Sequence, residues 1–421
     1  MNVQPRFDPA VQPLMSERRV GLLGAMLVAL GPLSMALFTP AMPEIVTAFG
    51  TTEQMVKLSL SLYFAGFAFA QLVAGPLSDG LGRRPVTLGF IGIYCVASAA
   101  ALVAPSIEWL IAARFLQGIG AAVGIAISRA VVRDLFTRER SARIMNLIGL
   151  ILGVAPALAP TIGGLTLEFF GWHAIFLLMF VAGAVIAIVI HQQLRETVVR
   201  DPSRIQPRAL LASYGKVLRS RYFLTSAIII GGATGALYAQ ATALPFILMT
   251  RVGLSPSQFG IGMLMQSGLF VAGNLVVRRA LHRHSATSLV PVGLTFTAIG
   301  VTSLFFTMHF AAPSFLSVML PCAVATFGLP FIFPAISTAS LAPFPQMAGA
   351  ASAMAGFFQM GSGLLGGLAI SLFSDPVSGL GTVIPVMGWI SVVAWLLWRR
   401  LPEPALGKIK TGPFVPDAPP S

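Results

Sequence analysis

The sequence predicts an all-α membrane protein, with twelve transmembrane helices in two pseudo-symmetric six-helix bundles. Three observations carry that fold class. Mean hydropathy is +0.84, and only 10% of the 421 residues are charged while 56% are hydrophobic, against about 25% charged in a soluble domain. Twelve apolar runs have the roughly 20 residues needed to cross a hydrocarbon core about 30 Å thick. A polar, basic stretch at 192–221 divides those runs six and six.

The runs fall at about 20–46, 54–77, 85–104, 109–131, 142–166 and 172–191, then at about 222–249, 256–277, 288–310, 314–342, 347–372 and 380–398. A tail at 1–19 holds Pro5, Pro9 and Pro13, and no small-residue cleavage site ends a short apolar segment, so the first helix is expected to stay as an anchor. Bends are expected where proline frees backbone groups: Pro32, Pro40 and Pro43 in the first run, Pro156 and Pro160 in the fifth, and Pro321, Pro330 and Pro334 in the tenth. Between runs two and three, Gly75-Pro-Leu-Ser-Asp79-Gly-Leu-Gly82-Arg83-Arg84 reads as a tight charged turn at a membrane surface. Gly75 and Gly82 supply the turning backbone, and Asp79 can accept backbone hydrogen bonds or pair with a cation.

Within 192–221, Leu210, Leu211, Tyr214, Val217 and Leu218 follow helical spacing, with Arg208, Lys216 and Arg219 elsewhere on the wheel. That pattern predicts a short amphipathic helix on the inner leaflet, linking halves at 20–191 and 222–400 and followed by a tail at 401–421. Gly273-Asn-Leu-Val-Val-Arg278-Arg279 faintly repeats the Asp79 turn at the equivalent place in the second half, as internal duplication would leave it.

A net charge of +13 and a pI near 11.0 raise the question of nucleic acid. With both termini in the cytoplasm, 24 of the 27 Lys and Arg fall in cytoplasmic segments, leaving Lys57, Arg251 and the intramembrane Arg114. The positive-inside rule therefore accounts for the basicity without a nucleic-acid partner. Cys95 and Cys322 lie inside apolar runs, where packing is the expected role. No carboxylate falls in the middle of a run, and no metal-ligand cluster, phosphate-cradling loop or nucleophile with a base is present, so enzyme, metal and cofactor chemistry have no residues to run on.

Arg114 is the most informative single residue, because a charge at a helix centre costs about 2.5–3.5 kcal/mol and is retained beside a polar partner or a wet cavity. It can snorkel outward, or it can face an internal site with Gln117, one turn deeper, as its companion. Gly118, Gly120 and Gly124 in run four, and Gly149, Gly153, Gly163 and Gly164 with Pro156 and Pro160 in run five, follow the small-residue logic of close helix packing. Placed by helix midpoint, Phe38, Tyr63, Phe67, Tyr238, Gln240, Gln266, Phe331 and Gln359 make a mostly aromatic cavity wall with scattered amides, suited to amphipathic organic ligands. Helix packing or lipid contact is the competing assignment for each.

These motifs resemble those of the major facilitator superfamily. Gly75, Leu77, Asp79, Gly82, Arg83 and Arg84 match its loop motif between helices 2 and 3, while Gly80 departs where a basic residue is usual. Arg114-Phe-Leu-Gln117-Gly118-Ile-Gly120 matches in helix 4, and the segment from Gly149 to Gly164 resembles the Gly/Pro motif of exporters. Within the superfamily the chain is similar to Bcr/CflA-type drug exporters, through Leu30-Gly-Pro-Leu-Ser before Pro40-Ala-Met-Pro43, Ser128-Arg129-Ala-Val-Val-Arg133-Asp134, Ala243-Leu-Pro245-Phe246-Ile, Ala348-Gly-Ala-Ala-Ser-Ala353 and Gly356-Phe-Phe-Gln359.

The resemblance implies a monomeric inner-membrane transporter that exports small amphipathic molecules by alternating access, with lipid around it, protons as coupling ion, no cofactor and no enzyme activity. It implies that Asp79, with Arg83 and with Arg129 or Arg133, latches the halves near Ala348 and Gly349 at the start of helix 11. Arg114 would face the central cavity and couple binding to movement, and the glycine seam would control leak and rocking. One departure matters: Ala36 stands where such exporters carry an acid before the Pro-Ala-Leu-Pro segment. Glu44 would substitute only if a cavity reaches it. An importer or uncoupled facilitator, and a non-transporting receptor with an added soluble domain, are the alternatives.

Overall fold

The computed structural model describes residues 14–136, 138–202 and 205–402; the side chains of 138, 139, 142, 146 and 149–156 lie outside that description. Ser16 caps α1 (Glu17–Phe38), accepting from the Arg19 backbone N–H. At Pro40 a single 3₁₀ turn, Thr39–Ala41, breaks the α-helical ladder and leads into α2 (Met42–Ala48), while Pro32 lies inside α1. Thr52 caps α3 (Glu53–Leu81), which is followed by α4 (Arg83–Leu102). The span from Ile107 to Leu135 consists of α5 (Ile107–Ala121) and α6 (Val123–Leu135).

Two membrane spans are merged in α7 (Arg138–Gln193), whose helical backbone is interrupted at Gly171 with φ +75°. After α8 (Pro207–Leu218) come α9 (Arg221–Gln240), a π-helical turn at Phe246–Arg251, α10 (Pro256–Ala280), α11 (Ala286–Phe310), α12 (Phe315–Leu341), α13 (Ala348–Ser371) and α14 (Pro376–Trp398). Among the described residues eleven helices are long and apolar enough to cross a bilayer, and reading α7 as two spans about Gly171 brings the total to twelve.

The charged motif between spans two and three is not the ten-residue turn expected. Gly75 and Pro76 lie inside α3, and the chain reverses at Gly82 alone, whose φ of +104° is open to glycine and strained for other residues. Helix 2 thus runs to Leu81, four residues past the expected end. The second-half echo is likewise helical, since Gly273 sits in α10 against the backbone of Phe327. α8 lies where the apolar spacing places an amphipathic helix; Val217 is buried, Tyr214 half-buried and Leu211 exposed. Cys95 and Cys322 are free thiols, half-buried and buried.

α1 to α7 pack around one apolar cluster that includes Leu30, Phe38, Tyr63, Phe64, Tyr94 and Phe176. Two further clusters fill the bundle of α9 to α14, one around Phe259, Val301, Leu304 and Cys322, the other around Ile229, Leu329 and Trp395. The two sets of helices meet along two seams, α3 against α13 and α7 against α10. Large apolar side chains such as Phe169, Phe170, Phe310 and Leu372 cover the outside, the surface that a hydrocarbon solvent favours.

Candidate functional site

α5 carries Arg114 into the middle of the first bundle, where it is fully buried. Its guanidinium lies over the rings of Phe38 (4.3 Å) and Tyr63 (4.4 Å), from the end of α1 and the middle of α3. Rings on a cation supply roughly 2 kcal/mol each when water is excluded. Nη1 donates to Gln117 Oε1, and Gln117 Nε2 in turn donates to Ser98 Oγ (2.7 Å) and Met179 Sδ (3.4 Å). Tyr63 donates to the Gly31 carbonyl (2.8 Å), and the Tyr94 and Ser34 hydroxyls share a hydrogen bond of 2.5 Å. Arg114 is held inside the bundle rather than reaching outward: Phe38 of α1 and Tyr63 of α3 lie against it, and Gln117 ties it to Ser98 of α4 and Met179 of α7. Its Nε and Nη2 have no hydrogen-bond partner among the described residues, and no carboxylate pairs with it. Ala36 is buried in the same apolar cluster.

From Tyr63 the aromatic chain continues through Phe64 to Tyr238 of α9 (5.7 Å between centroids) and so reaches the second bundle. Gln359 of α13 donates to the Tyr238 hydroxyl at 3.5 Å. Gln71 is buried in the α3/α13 seam beside Gly356, with its Oε1 unpartnered. The structure therefore brings Phe38, Tyr63 and Gln117 around Arg114, packs Phe67 against Tyr63, and sets Tyr238 and Gln359 at the seam. Gln240 is buried at the end of α9. Gln266 and Phe331 are not part of that chain of contacts. Gln266 donates to Thr326 Oγ1 (2.8 Å), and Phe331 packs on Phe296 and Phe327, all within the second bundle.

At the end of the bundles where Gly82 reverses the chain, Arg83 is the hub. Nη1 meets Asp79 Oδ1 at 2.5 Å and Ser78 Oγ at 2.6 Å, while Nε meets Asp134 Oδ2 at 3.0 Å. Thr197 donates to the same Asp134 oxygen at 2.9 Å. Glu196 accepts from the backbone N–H groups of Arg83 (2.8 Å) and Arg84 (3.2 Å), placing an anion at the N-terminus of α4. The expected contact of Asp79 with the start of α13 is absent here: its carboxylate is held by Arg83, and the space beside Gly349 is open. The bond that does cross at this end is Arg129 Nη1 to Ser352 Oγ of α13, at 3.3 Å. Arg133 is exposed on α6.

The opposite end holds contacts that sequence reasoning missed. Glu168 of α7 accepts from the Ser257 backbone N–H (2.9 Å) and the Ser255 hydroxyl (3.4 Å) at the first turn of α10. Thr161 donates to the Gly260 carbonyl at 2.9 Å. The two backbones nearly touch here, since a Cβ on Gly164 would strike the Pro256 carbonyl and one on Gly260 the Pro160 carbonyl. Lys57, counted from sequence only as an outward charge, is buried; it pairs with Glu53 (3.0 Å) and lies 4.9 Å from the ring centroid of Phe246 in the second bundle. The signals were present: Glu53 and Lys57 are one helical turn apart, and Ser255-Pro256-Ser257-Gln258 is a capping-box start for α10. Gly163 packs on the Leu37 backbone. The surroundings of Gly149, Gly153 and Pro156 fall outside the described residues.

An apolar groove of about 700 Å³, walled by Phe306, Trp389 and Leu397 among others, lies on the outer face of the second bundle between α9, α11 and α14. Its exposed rings suit lipid chains.

The family model of the Major Facilitator Superfamily matches residues 24–367. Over 88% of its length the chain is 31% identical to an uncharacterized MFS-type transporter, YdgK of Bacillus subtilis (strain 168), covering 91% of that protein. It is 30% identical to multidrug resistance protein D of Escherichia coli (strain K12), over 90% of this chain and 96% of that one. Among solved structures, the inward open conformation of the xylose transporter XylE from E. coli covers 93% of this chain and 98% of its own, with a TM-score of 0.71 at 14% identity. The human organic anion transporter MFSD10 covers 91% of this chain and 100% of its own, with a TM-score of 0.66 at 17% identity. At such identities these two likenesses bear on the fold alone. Twelve spans in two bundles, seams between the bundles and a family match across most of the chain lead to one conclusion: this protein belongs to the Major Facilitator Superfamily and is a membrane transporter.

Proposed function

We propose that the transporter exports small amphipathic molecules, as a drug or multidrug efflux protein, by alternating access between its two bundles in a bacterial inner membrane. The observation that carries this reading is the build of the seams. Polar bonds join the bundles at each end, Arg129 to Ser352 at one and Glu168 to Ser257 at the other, while most of each apolar core lies within its own bundle and Tyr238, Phe246 and Met360 bridge to the first. Opening one end then breaks those bonds and parts the bridging side chains while the bulk of each core stays packed, as rocking of two rigid bodies requires. Relatives named for multidrug resistance, aligned over 90% of this chain, support efflux as the direction.

In this reading a flat apolar ligand enters from the Gly82 end once Arg129 and Ser352 part. It stacks on Phe64 and Tyr238, with Gln359 and Gln71 offering hydrogen bonds. Closure behind it, followed by release of the Glu168 and Lys57 contacts, opens the far side. A cytoplasmic placement of the Gly82 end and both termini, which puts 24 of the 27 Lys and Arg on the inner side, is supported by the positive-inside rule. The chain works as a monomer and transports rather than converts its substrate.

Protons are the proposed coupling ion, carried without the usual helix 1 acid. Ala36 favours a second reading, an uncoupled facilitator or an importer. Glu44 is the nearest replacement on the same span, and it lies by the Gly171 corner, 3.7 Å from where a Cβ would stand, rather than at Arg114. The test is a susceptibility screen in a pump-deficient host, followed by proteoliposome transport with and without an imposed pH gradient. Export predicts raised resistance and outward flux. Flux indifferent to the gradient selects the uncoupled reading, and accumulation in cells selects import.

A further inference from the structure

We propose that Arg114 is an anion site, and that the molecules carried are amphipathic organic acids whose carboxylate docks on its Nε and Nη2. The inference deepens the transport reading above and rests on it. A buried guanidinium without a counter-ion is an uncompensated charge, and buried charges in proteins are normally paired or fully hydrogen-bonded. Here one of the three nitrogens is used, by Gln117, while Nε and Nη2 are both buried and unpartnered. Those two nitrogens lie along one edge of the guanidinium plane, the edge whose parallel N–H groups match the two oxygens of a carboxylate. Phe38 and Tyr63 lie against the group and hold its orientation, so the fork is set before a ligand arrives.

The surroundings decide the sign of the ligand. No carboxylate among the described residues bonds to the cluster, and Ala36, buried on the same helix as Phe38, adds no charge. A ligand cation brought here would meet an unscreened positive charge at low dielectric, and an anion would cancel it. The site is sealed in this conformation, but Tyr63 sits on α3 next to Phe64, whose ring meets Tyr238 across the seam. Movement of α3 relative to the second bundle therefore also moves one wall of the Arg114 site. The apolar body of the ligand would lie along Phe64 and Tyr238, and its head would reach inward to the guanidinium.

The experiment uses the full chain in lipid nanodiscs and three probes of one shape: 1-pyrenebutanoate, its neutral amide, and 1-pyrenebutylamine as the cation. The expected order of binding is carboxylate over amide over amine, with the carboxylate tighter than the amide by about tenfold or more, as charge-assisted bonds require. Arg114→Gln is expected to bring the carboxylate down to the level of the amide. Arg114→Lys, which keeps the charge and loses the fork, is expected to fall between. Wild-type protein that binds the carboxylate no better than the amide overturns the proposal, including when neither binds, and this arm needs no variant to fold. A carboxylate preference that survives in Arg114→Gln overturns it too. Titration with sodium chloride against sodium gluconate separates the sources of the anion: chloride that displaces the carboxylate fully at equal concentration makes Arg114 an inorganic-anion site and overturns the organic-acid reading. Flux of the same probes from proteoliposomes keeps the two ideas apart. Transport without anion preference sinks the Arg114 proposal alone, whereas tight carboxylate binding with no flux of any probe sinks the transport reading and leaves the site.

Discussion

Glu168 accepts a hydrogen bond from the backbone N–H of Ser257, so a carboxylate of one bundle caps a helix of the other at 2.9 Å. A helix N-terminus favours an anion by about 0.3–1 kcal/mol at an exposed site. Glu168→Gln keeps the shape and removes the charge, and should shift the population toward opening at this end by about two- to fivefold. Spin-label distances between α7 and α10 in nanodiscs would report it. An unchanged distribution would rule out Glu168 as a closing contact.

Gly260→Val should open the same end more strongly. A Cβ at Gly260 would stand 2.5 Å from the Pro160 carbonyl oxygen, a backbone atom that cannot swing aside. Overpacking of this kind costs about 1–3 kcal/mol, and here it falls on the closed conformation. Flux should drop, and the Thr161 bond to Gly260 should be lost. Native flux and native label distances together would show that the closed seam accommodates the added side chain, and would overturn the prediction.

At the other end, Asp79→Asn should insert and fold with only a small loss of stability. Arg83 loses its shortest ionic contact yet retains Asp134 and Ser78, so the loss is on the order of 1 kcal/mol. The double variant Asp79→Asn/Asp134→Asn leaves Arg83 buried without a bonded carboxylate side chain, and stranding a buried cation costs about 3–5 kcal/mol. Detergent melting should separate the two: a small shift for the single change, loss of monodisperse protein for the double.

Asp375 gives a pH-dependent prediction outside the membrane spans. Partial burial pushes its carboxyl up, but bonds from the Ser378 N–H and hydroxyl, both at 3.0 Å, and the nearby Arg251 outweigh this and hold it below the usual value. With the folded value depressed, the stability it adds is fully present above the ordinary Asp range, near 3.9, and is lost as pH falls through the lower folded value. Asp375→Ala should therefore cost about 0.5–2 kcal/mol at neutral pH, as loss of a helix cap does. The gap in melting temperature between variant and native protein should narrow only in strongly acidic buffer.

The spans were legible because lipid imposes a length on every helix that crosses it, and no packing detail alters that count. Their ends were less so. Gly75 and Pro76 look like turn residues, yet a helix crossing toward a polar surface keeps its ladder past them, and only the positive φ at Gly82 stops it. Arg114 stood out through the cost of its charge, whereas the rings over it depend on how α1, α3 and α5 cross. The seam contacts were hidden for a related reason. Glu168 and Ser257 lie 89 residues apart, and each alone looks like an ordinary loop-edge polar group. Gln266 and Phe331, placed by depth alone, were assigned without knowing which way each helix is turned.

Tyr214 of α8 donates to the Leu72 carbonyl of α3 at 2.5 Å, while α8 also packs on α9 and α13. The stretch joining the bundles is thus no slack tether. It lies as a bar across the α3/α13 seam, fastened on both sides, and the seam cannot part without the bar letting go of one of them. Leu194 is buried, Glu196 and Thr197 bond to Arg83 and Asp134, and the Asp201 N–H bonds to the Gly80 carbonyl, so the chain that leads into the bar is itself held on the first bundle. A cycle that opens this seam therefore includes a step in which the bar comes free, with every binding residue still in place.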